Sequence, residues 1–456
     1  MSLDPSIFKA YDVRGLYPEQ IDEEVAYRVG RAFARVLPDL QGGPREGGLR
    51  LALGHDMRLH SPALAQAFTR GLVDEGCRVL DIGMVGTEVV YYAIGSRELD
   101  GGVSVTASHN PKAWAGFKLL REGALALSGD SGIPDVQREA ESGDFSSSSG
   151  EGSVEHADIY EEFQHHVLGF IEPEVIRPMK LVLDGGNGMA GPMIGPIIDA
   201  FPVVADRLYF EPNGEFPGHE PNPLLPENRK LIIDTVLERQ AELGIAWDGD
   251  ADRCFFVDDH GEFVPGDFMT ALLAEAILAK EPGATILYDV RASRAVKDTV
   301  ERAGGKALVN RVGHAFFKTR MRETGAAFGG EVSGHYYFRD FWCADSGVIP
   351  ALLVLELLSV RSKTMAELLV PYRSKYFISG EINSEVADQD AKMRELAESY
   401  SECDVSWLDG VSVDCGTWHF NVRPSNTEPL LRLNLEAFCK EEMEARTEEI
   451  LSIIRS

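Results

Sequence analysis

The stretch "DGDADR", residues 248–253, places Asp248, Asp250 and Asp252 at alternate positions. On an extended loop alternate side chains point the same way, so three carboxylates can converge on one hard cation. Oxygen-only ligands suit Mg²⁺, with positions left open for a phosphate oxygen. An EF-hand loop would need Gly at its sixth position and Glu at its twelfth, where this chain has Arg253 and Asp259. A second loop, "TASHNP", follows the small, apolar "GGVSV" and offers Ser108 beside His109, with Pro111 ending the run. A serine hydroxyl is a poor nucleophile without activation. Its neighbours Ala107 and His109 are not the glycines of a nucleophile elbow, which argues against a hydrolase triad. A serine that carries a phosphoryl group needs a divalent cation and nearby positive charge instead, and Arg253 and Lys118 would add that charge to a cation on the three Asp. A phosphatase with an aspartyl nucleophile would also use paired Asp after a strand, but leaves Ser108 without a task.

Further loops carry weaker signals. "GEVSGH" (330–335) offers Glu331, Ser333 and His335 between glycines that let backbone approach a ligand, and a carboxylate and hydroxyl at alternate positions suit adjacent sugar hydroxyls. A Gly-rich bend with solvated polar groups needs the same residues. "RPSNTEP" (423–429) offers Arg423, Ser425, Asn426 and Thr427, a guanidinium and a run of donors that fit a phosphate or a plain hairpin turn. In "RVGHAFFK", His314 falls at a predicted helix start, where a histidine is commonly structural. In "AYDVRG", Arg14 and Gly15 fit either a phosphate lining or a turn.

The elements that must position these loops repeat. "LRLALGHDMR" (49–58) reads as a strand and turn, with a helix starting at Ser61-Pro62, Ser capping and Pro in the first turn. "KLVLDGGNGMAG" and "TILYDVRASRAV" repeat strand, turn and helix, and each unit has a later strand ending in one of the polar loops. Strands alternating with helices predict three related α/β domains with mixed sheets, ligands binding at strand ends. From about Pro371 the pattern becomes strand, helix, strands and a terminal helix, a small α+β domain with "RPSNTEP" between two strands. The low-complexity "SGDFSSSSGEGS" (142–153) lacks apolar residues to pack and is read as a linker or surface loop. The expected domains are 1–148, 149–253, 254–368 and 369–456.

The chain has 456 residues, 44% hydrophobic and 26% charged, too many for one core. A net charge of −29 excludes a basic nucleic-acid footprint, so any anionic ligand must be met by locally gathered Arg, Lys and His. The six Cys are far apart with no Cys-x-x-Cys, which argues against zinc and for a reducing compartment. "MSLDPSIFKAYDVRG" has no apolar core to act as a signal peptide, and Val348–Leu355 is too short to cross a bilayer. A cytoplasmic protein, with no nucleic-acid or membrane partner and monomeric or homodimeric, is expected.

"FKAYDVRG", "TASHNP", "DGDADR", "GEVSGH" and "RPSNTEP", in this order, resemble the signature loops of the α-D-phosphohexomutases, over nearly the whole chain from Phe8 onward. The resemblance implies four domains around a central cleft, a phosphoserine at Ser108, and one Mg²⁺ held by Asp248, Asp250 and Asp252 with the serine phosphate. It implies that Arg14, His109, Lys118, Arg253 and His314 lie at the reacting centre. Glu331 and Ser333 would bind sugar hydroxyls, with Tyr11, Arg291 and His335 also on the substrate. Arg423, Ser425, Asn426 and Thr427 would hold the phosphate that is not reacting. Arg291 stands where bacterial members often carry Lys. The implied reaction moves phosphate between O1 and O6 of a hexose through a hexose 1,6-bisphosphate, which is also the activator. "AYDVRG", "GEVSGH" and "RPSNTEP" resemble the mannose/glucose branch, although Val332 departs from its common Met. Phosphoglucosamine mutases, with "GTDGIRG", "GEQSGH" and "RPSGTEP", are the runner-up, followed by a metal-dependent sugar phosphatase.

Overall fold

A computed structural model describes residues 3–43, 47–145, 151–425 and 430–456. The chain divides into two compact units, one of residues 1–264 and 333–365, the other of residues 265–332 and 366–456.

The first unit opens with a mixed sheet whose strand order is Val13–Leu16, Trp114–Arg121, Gly101–Val105, Arg50–His55, Arg78–Met84 and Ser153–His156. The strand Gly101–Val105 is buried along its whole length and runs parallel to Arg50–His55. Its other neighbour, Trp114–Arg121, is antiparallel and sets Lys118 opposite Ser104. Small and apolar residues fill this strand because helices Glu23–Leu40, Ser61–Asp74 and Thr87–Ser96 pack on the sheet, and strands covered on both faces read as continuous hydrophobic runs. A second mixed sheet has the order Cys254–Asp258, Leu243–Trp247, Lys180–Asp184 and Val204–Leu208, with only the first pair antiparallel. All five residues of Leu243–Trp247 are buried, as "GIAW" foretells.

Within the second unit, Lys306–Asn310, Thr285–Asp289 and Phe328–Gly330 form parallel pairs about Thr285–Asp289, with helices Gly266–Lys280, Arg294–Arg302 and His314–Thr324. The C-terminal sheet is wholly antiparallel, in the order Phe377–Ile378, Leu430–Ala437, Trp418–Pro424, Val411–Asp414 and Asp404–Ser406. Helices Gln389–Ser399 and Lys440–Arg455 cover it around Trp418, Phe420, Leu433 and Ile450. The protein is therefore three α/β domains followed by an α+β domain, as the strand and helix pattern predicts.

Three details differ from the sequence reading. Ser61 is the first helical residue rather than the cap: His60 holds the cap position and the Ser61 hydroxyl donates to Asp56 Oδ1 at 2.6 Å. Cys403 and Cys415 form a disulfide, Cα atoms 4.8 Å apart, because the pairing of Asp404 with Asp414 sets their neighbours side by side. The six Cys are thus not all separate thiols. The low-complexity run lies partly outside the described residues, and the chain beyond it, Ser153–His156, pairs with the edge of the first sheet. No helix among the described residues is long and apolar enough to cross a membrane.

Glu88 ties the first unit's elements together. It is fully buried, accepts the backbone N–H groups of Gly347 and Val348 at 3.2 Å each, and bonds the Ser346 hydroxyl, so it closes the start of helix Val348–Arg361. Burial pushes its carboxyl well above the usual carboxylate range, against the hydrogen bonds from Ser346, Val348 and Gly347. Glu88→Ala leaves buried donors unpaired and should lower stability by about 3 kcal/mol, read as a fall in the thermal midpoint. Glu88→Gln keeps the acceptor and a donor for Ser346, and should stay within about 1 kcal/mol of the wild type.

Candidate active site

Ser108 ends the strand Gly101–Val105 in a left-handed conformation, φ +49°, uncommon for a residue with a side chain. Its N–H donates to Thr106 Oγ1 at 2.8 Å, and its carbonyl accepts from Arg58 Nη2 at 2.8 Å. Arg58 is fully buried and also donates to the carbonyls of Asn110 and Pro111 at 2.6 and 2.9 Å, while Asp56 holds it through its backbone N–H and Nε. One guanidinium thus satisfies three carbonyls of a loop that has no ladder to pair with. Arg14 adds a second clamp, donating to the Ala107 carbonyl at 3.1 Å and to Asn110 Oδ1 at 2.5 Å while paired with Asp12.

The acidic loop follows the buried strand Leu243–Trp247 and returns through Ala251, also left-handed at φ +59°. Its three aspartates are buried, with carboxylate oxygens within 4.8 Å of one another. A Cβ on Gly249 would lie 2.5 Å from the Ser108 carbonyl, so only glycine lets the two loops meet this closely. Ser108 Oγ donates to Asp248 Oδ2 at 2.8 Å and lies 3.2 Å from His109 Nδ1.

Lys118 donates to Asp250 Oδ2 at 2.6 Å and to Asp252 Oδ2 at 2.5 Å. Burial works against its charge, but the two carboxylates outweigh that and raise its ammonium above the usual range. Arg253 Nε donates to Asp248 Oδ2 at 3.0 Å, and its Nη2 lies 2.9 Å from the same oxygen as an ion pair. Asp250 is held below the usual range: burial opposes ionisation, and Lys118 and Thr87 overcome it. Burial and then the Asp250 charge push Asp252 up to about 8. His109 is held well below its ordinary value by burial and by Arg253 and Arg14, and is therefore a neutral imidazole. His335 Nε2 faces Asp252 Oδ1 at 3.9 Å, and its Nδ1 lies 3.0 Å from Ser333 Oγ. Tyr11 is half-buried two residues before the strand that carries Arg14.

The other candidates belong to the second unit. Arg291 is bound at two points by Asp289, Nε to Oδ1 at 3.0 Å and Nη2 to Oδ2 at 2.8 Å. His314 is the first residue of helix His314–Thr324, and the preceding Gly313 N–H donates to Glu331 Oε1 at 2.7 Å. Arg423 and Ser425 are buried at the end of strand Trp418–Pro424, with Arg423 directly across from Arg432. Asn426 and Thr427 lie outside the described residues.

Sequence reading missed Arg58, Asp56 and Thr87. Thr87 donates to Asp250 Oδ2 at 2.5 Å, and its N–H to the Asp250 carbonyl at 3.1 Å. Asp345 is also buried here, its carboxylate within 4.8 Å of the Asp252 and His335 ligand atoms. Only the short spacing of Asp56 and Arg58 in "HDMR" hinted at a local pair.

The acidic cluster fits a divalent cation. Asp250 Oδ1 and Asp252 Oδ1 are buried with no hydrogen-bond partner among the described residues, and all the donors are oxygens. Hydroxyl, carboxylates and flanking cations together can hold a metal against a phosphorylated serine, the equipment of a phosphotransfer enzyme.

Comparison with known proteins agrees with that class. The four phosphoglucomutase/phosphomannomutase domains match in order: the alpha/beta/alpha domain I over residues 5–146, domain II over 161–261, domain III over 265–375 and the C-terminal domain over 381–453. A phosphomannomutase of Escherichia coli K12 is 43% identical over 457 residues, 98% of each chain. A relative named as phosphohexose mutases, from Xanthomonas campestris, is 42% identical over 98% of this chain and 99% of its own. A solved phosphoglucomutase/phosphomannomutase family protein of Burkholderia thailandensis superposes with a TM-score of 0.90 at 32% identity, covering 99% of this chain and 97% of that one. The chain belongs to the phosphoglucomutase/phosphomannomutase family, whose members are phosphotransferring mutases.

The charge balance of the acidic cluster has a measurable sign. Asp252 titrates higher in the folded protein than in the unfolded chain, so its contribution to stability is complete below about pH 4 and is lost as pH rises through about 8. Without divalent cations, the melting temperature of the wild type should fall relative to Asp252→Asn across that window. Millimolar Mg²⁺ should raise the melting temperature of the wild type at pH 8 and leave Asp252→Asn little changed.

Proposed function

We propose that the protein is a phosphohexomutase that interconverts the 1- and 6-phosphates of mannose, glucose or both, through a phosphoserine at Ser108 and a hexose 1,6-bisphosphate. The observation that carries the reading is the Ser108 hydroxyl at 2.8 Å from Asp248, in a buried set of carboxylates of which Asp250 Oδ1 and Asp252 Oδ1 lack hydrogen-bond partners among the described residues. The family relatives named phosphomannomutase and phosphohexose mutases support the hexose phosphate as substrate class.

Asp248, Asp250 and Asp252, with the phosphate on Ser108, would hold one Mg²⁺. When bound, the cation neutralises charge on the transferring phosphoryl group. Lys118 holds Asp250 ionised, and Lys118 and Arg253 add positive charge beside the serine; Arg14 and Arg58 hold its loop. In the forward step the Ser108 Oγ–phosphorus bond breaks as the free sugar hydroxyl bonds to phosphorus, and the proton of that hydroxyl passes to Oγ. In the return step Ser108 Oγ bonds the phosphorus of the other phosphate, the bond from that phosphorus to its sugar oxygen breaks, and the serine proton passes to the sugar oxygen. His109, neutral and 3.2 Å from Oγ, is placed to take and return a proton at that oxygen. Glu331, Ser333 and His335 bind sugar hydroxyls, with Tyr11, Arg291 and His314 completing the contacts with substrate. Arg423, Ser425, Asn426 and Thr427 hold the phosphate that is not reacting. The four domains are taken as 1–148, 149–253, 254–368 and 369–456, in the cytoplasm.

The test supplies Mg²⁺, trace hexose 1,6-bisphosphate and, in turn, mannose, glucose and glucosamine 1-phosphates, following each 6-phosphate. Mannose and glucose phosphates should convert fast, with Ser108→Ala lowering kcat at least about 10³-fold, the scale of losing a covalent step. Preference for glucosamine phosphate would move the substrate to another branch. Free phosphate released equally by wild type and Ser108→Ala would exclude the mutase.

A further inference from the structure

Around Arg423 the second unit gathers more guanidinium than its carboxylates neutralise tightly. Arg291 needs no further partner to hold it, since Asp289 binds it at two points and Asp289 itself accepts the Val332 N–H at 2.9 Å. Arg291 nonetheless reaches a second carboxylate, Nη1 lying 3.5 Å from Glu381 Oε2. The same carboxylate lies 3.2 Å from Arg432 Nη1 through its other oxygen. Charge-assisted bonds of this kind close to about 2.7–2.9 Å when well made. Both contacts are long, and Glu381 and Arg432 are each 27% exposed. Behind them, Arg423 Nε and Arg432 Nε are buried with no hydrogen-bond partner among the described residues. Burial, then the neighbouring Arg291, lowers the Arg423 guanidinium below its usual range, as expected where positive groups crowd. Of the other acids here, Asp409 already accepts the Val312 N–H at 2.8 Å and Glu331 the Gly313 N–H at 2.7 Å. Unpaired buried donors are costly, and a tetrahedral dianion offers more acceptors to several guanidiniums than one loosely held carboxylate does.

We propose that Glu381 is a displaceable counter-ion of the phosphate subsite: its carboxylate bridges Arg291 and Arg432 when the subsite is empty, and the phosphate of the substrate takes its place. The inference rests on reading Arg423 and Ser425 as phosphate ligands, and adds to it a positioning residue and a third arginine, Arg432. Arg432 Nη2 lies 3.4 Å from Ser425 Oγ, at the edge where a bound phosphate oxygen would sit. Because Glu381 competes with phosphate, it weakens binding at this subsite. A bisphosphate that must let go of one phosphate and present the other needs that weakening, since tight uniform binding slows turnover.

The test is titration calorimetry of the full-length protein with inorganic phosphate, for the wild type, Glu381→Gln, Glu381→Asp and Arg423→Gln. The phosphate binding that Arg423→Gln removes should tighten about fivefold in Glu381→Gln, the scale of releasing half-exposed ion pairs. The KM for hexose 1-phosphate should fall in the same proportion, and Glu381→Asp, which keeps the charge, should remain near the wild type. A defect of folding or of arginine positioning would weaken binding instead. Unchanged or weaker binding in Glu381→Gln, while Arg423→Gln still abolishes it, overturns the counter-ion and leaves the phosphate subsite standing. Phosphate binding that survives Arg423→Gln overturns the subsite and the counter-ion together.

Discussion

Three carboxylates buried within 4.8 Å of one another are the constraint on which the first unit depends. In water such a cluster would disperse; in the interior each charge must find a partner or take up a proton. The fold supplies partners from separate places. Lys118 comes from an antiparallel strand of the first sheet, Arg253 from the end of the acidic loop itself, and Thr87 from the start of a helix. These contacts tie the first two α/β domains together through charge, beside apolar contacts such as Tyr92 against Phe163. The match is incomplete, because burial and Asp250 push Asp252 up to about 8, and two oxygens have no hydrogen-bond partner among the described residues. A site completed by a divalent cation gives up stability when empty, the usual trade of function against stability.

The serine is held by the same logic at the backbone. Ser108 and Ala251 both occupy left-handed conformations, each costing on the order of 1 kcal/mol. Arg58 offsets that cost for the Ser108 loop by satisfying three carbonyls from beneath it, and Gly249 lets the acidic loop press against the Ser108 carbonyl. The hydroxyl therefore meets Asp248 because two strained turns are each pinned by their own domain. For the phosphoserine role proposed above, a hydroxyl held in place loses little freedom on reaching its reaction geometry.

Much of this was legible in the sequence, for reasons of periodicity. Alternation at 248, 250 and 252 marked the acidic loop, and unbroken apolar runs marked the central strands Gly101–Val105 and Leu243–Trp247. The rest depends on register and three-dimensional closure. Nothing in "AGFKLL" says that Lys118 stands opposite Ser104 and reaches Asp250; only the strand pairing does. Arg58 reads as a surface arginine until its loop is seen to cover it, and the Cys403–Cys415 bridge needs the hairpin that pairs Asp404 with Asp414. Glu381 belongs to no sequence pattern, since its meaning comes from two arginines 90 residues before it and 51 residues after it. Asn426 and Thr427 were read from "RPSNTEP" and lie outside the described residues.

The two units carry unfinished charge of opposite sign. The acidic cluster has more carboxylate than Lys118 and Arg253 satisfy, and the arginine cluster has more guanidinium edge than Asp289 and Glu381 satisfy. On the proposed reading each deficiency is met by a ligand of matching chemistry, a cation in one and a phosphate in the other. A chain of net charge −29 repels sugar phosphates at long range, so recognition must be local and strong enough to overcome that field. The proposed subsite meets this by gathering Arg291, Arg423 and Arg432 in one place, with the Glu381 carboxylate among them as counter-ion. The acidic centre is met by Lys118, Arg253 and Thr87, yet Asp250 Oδ1 and Asp252 Oδ1 stay without a hydrogen-bond partner among the described residues.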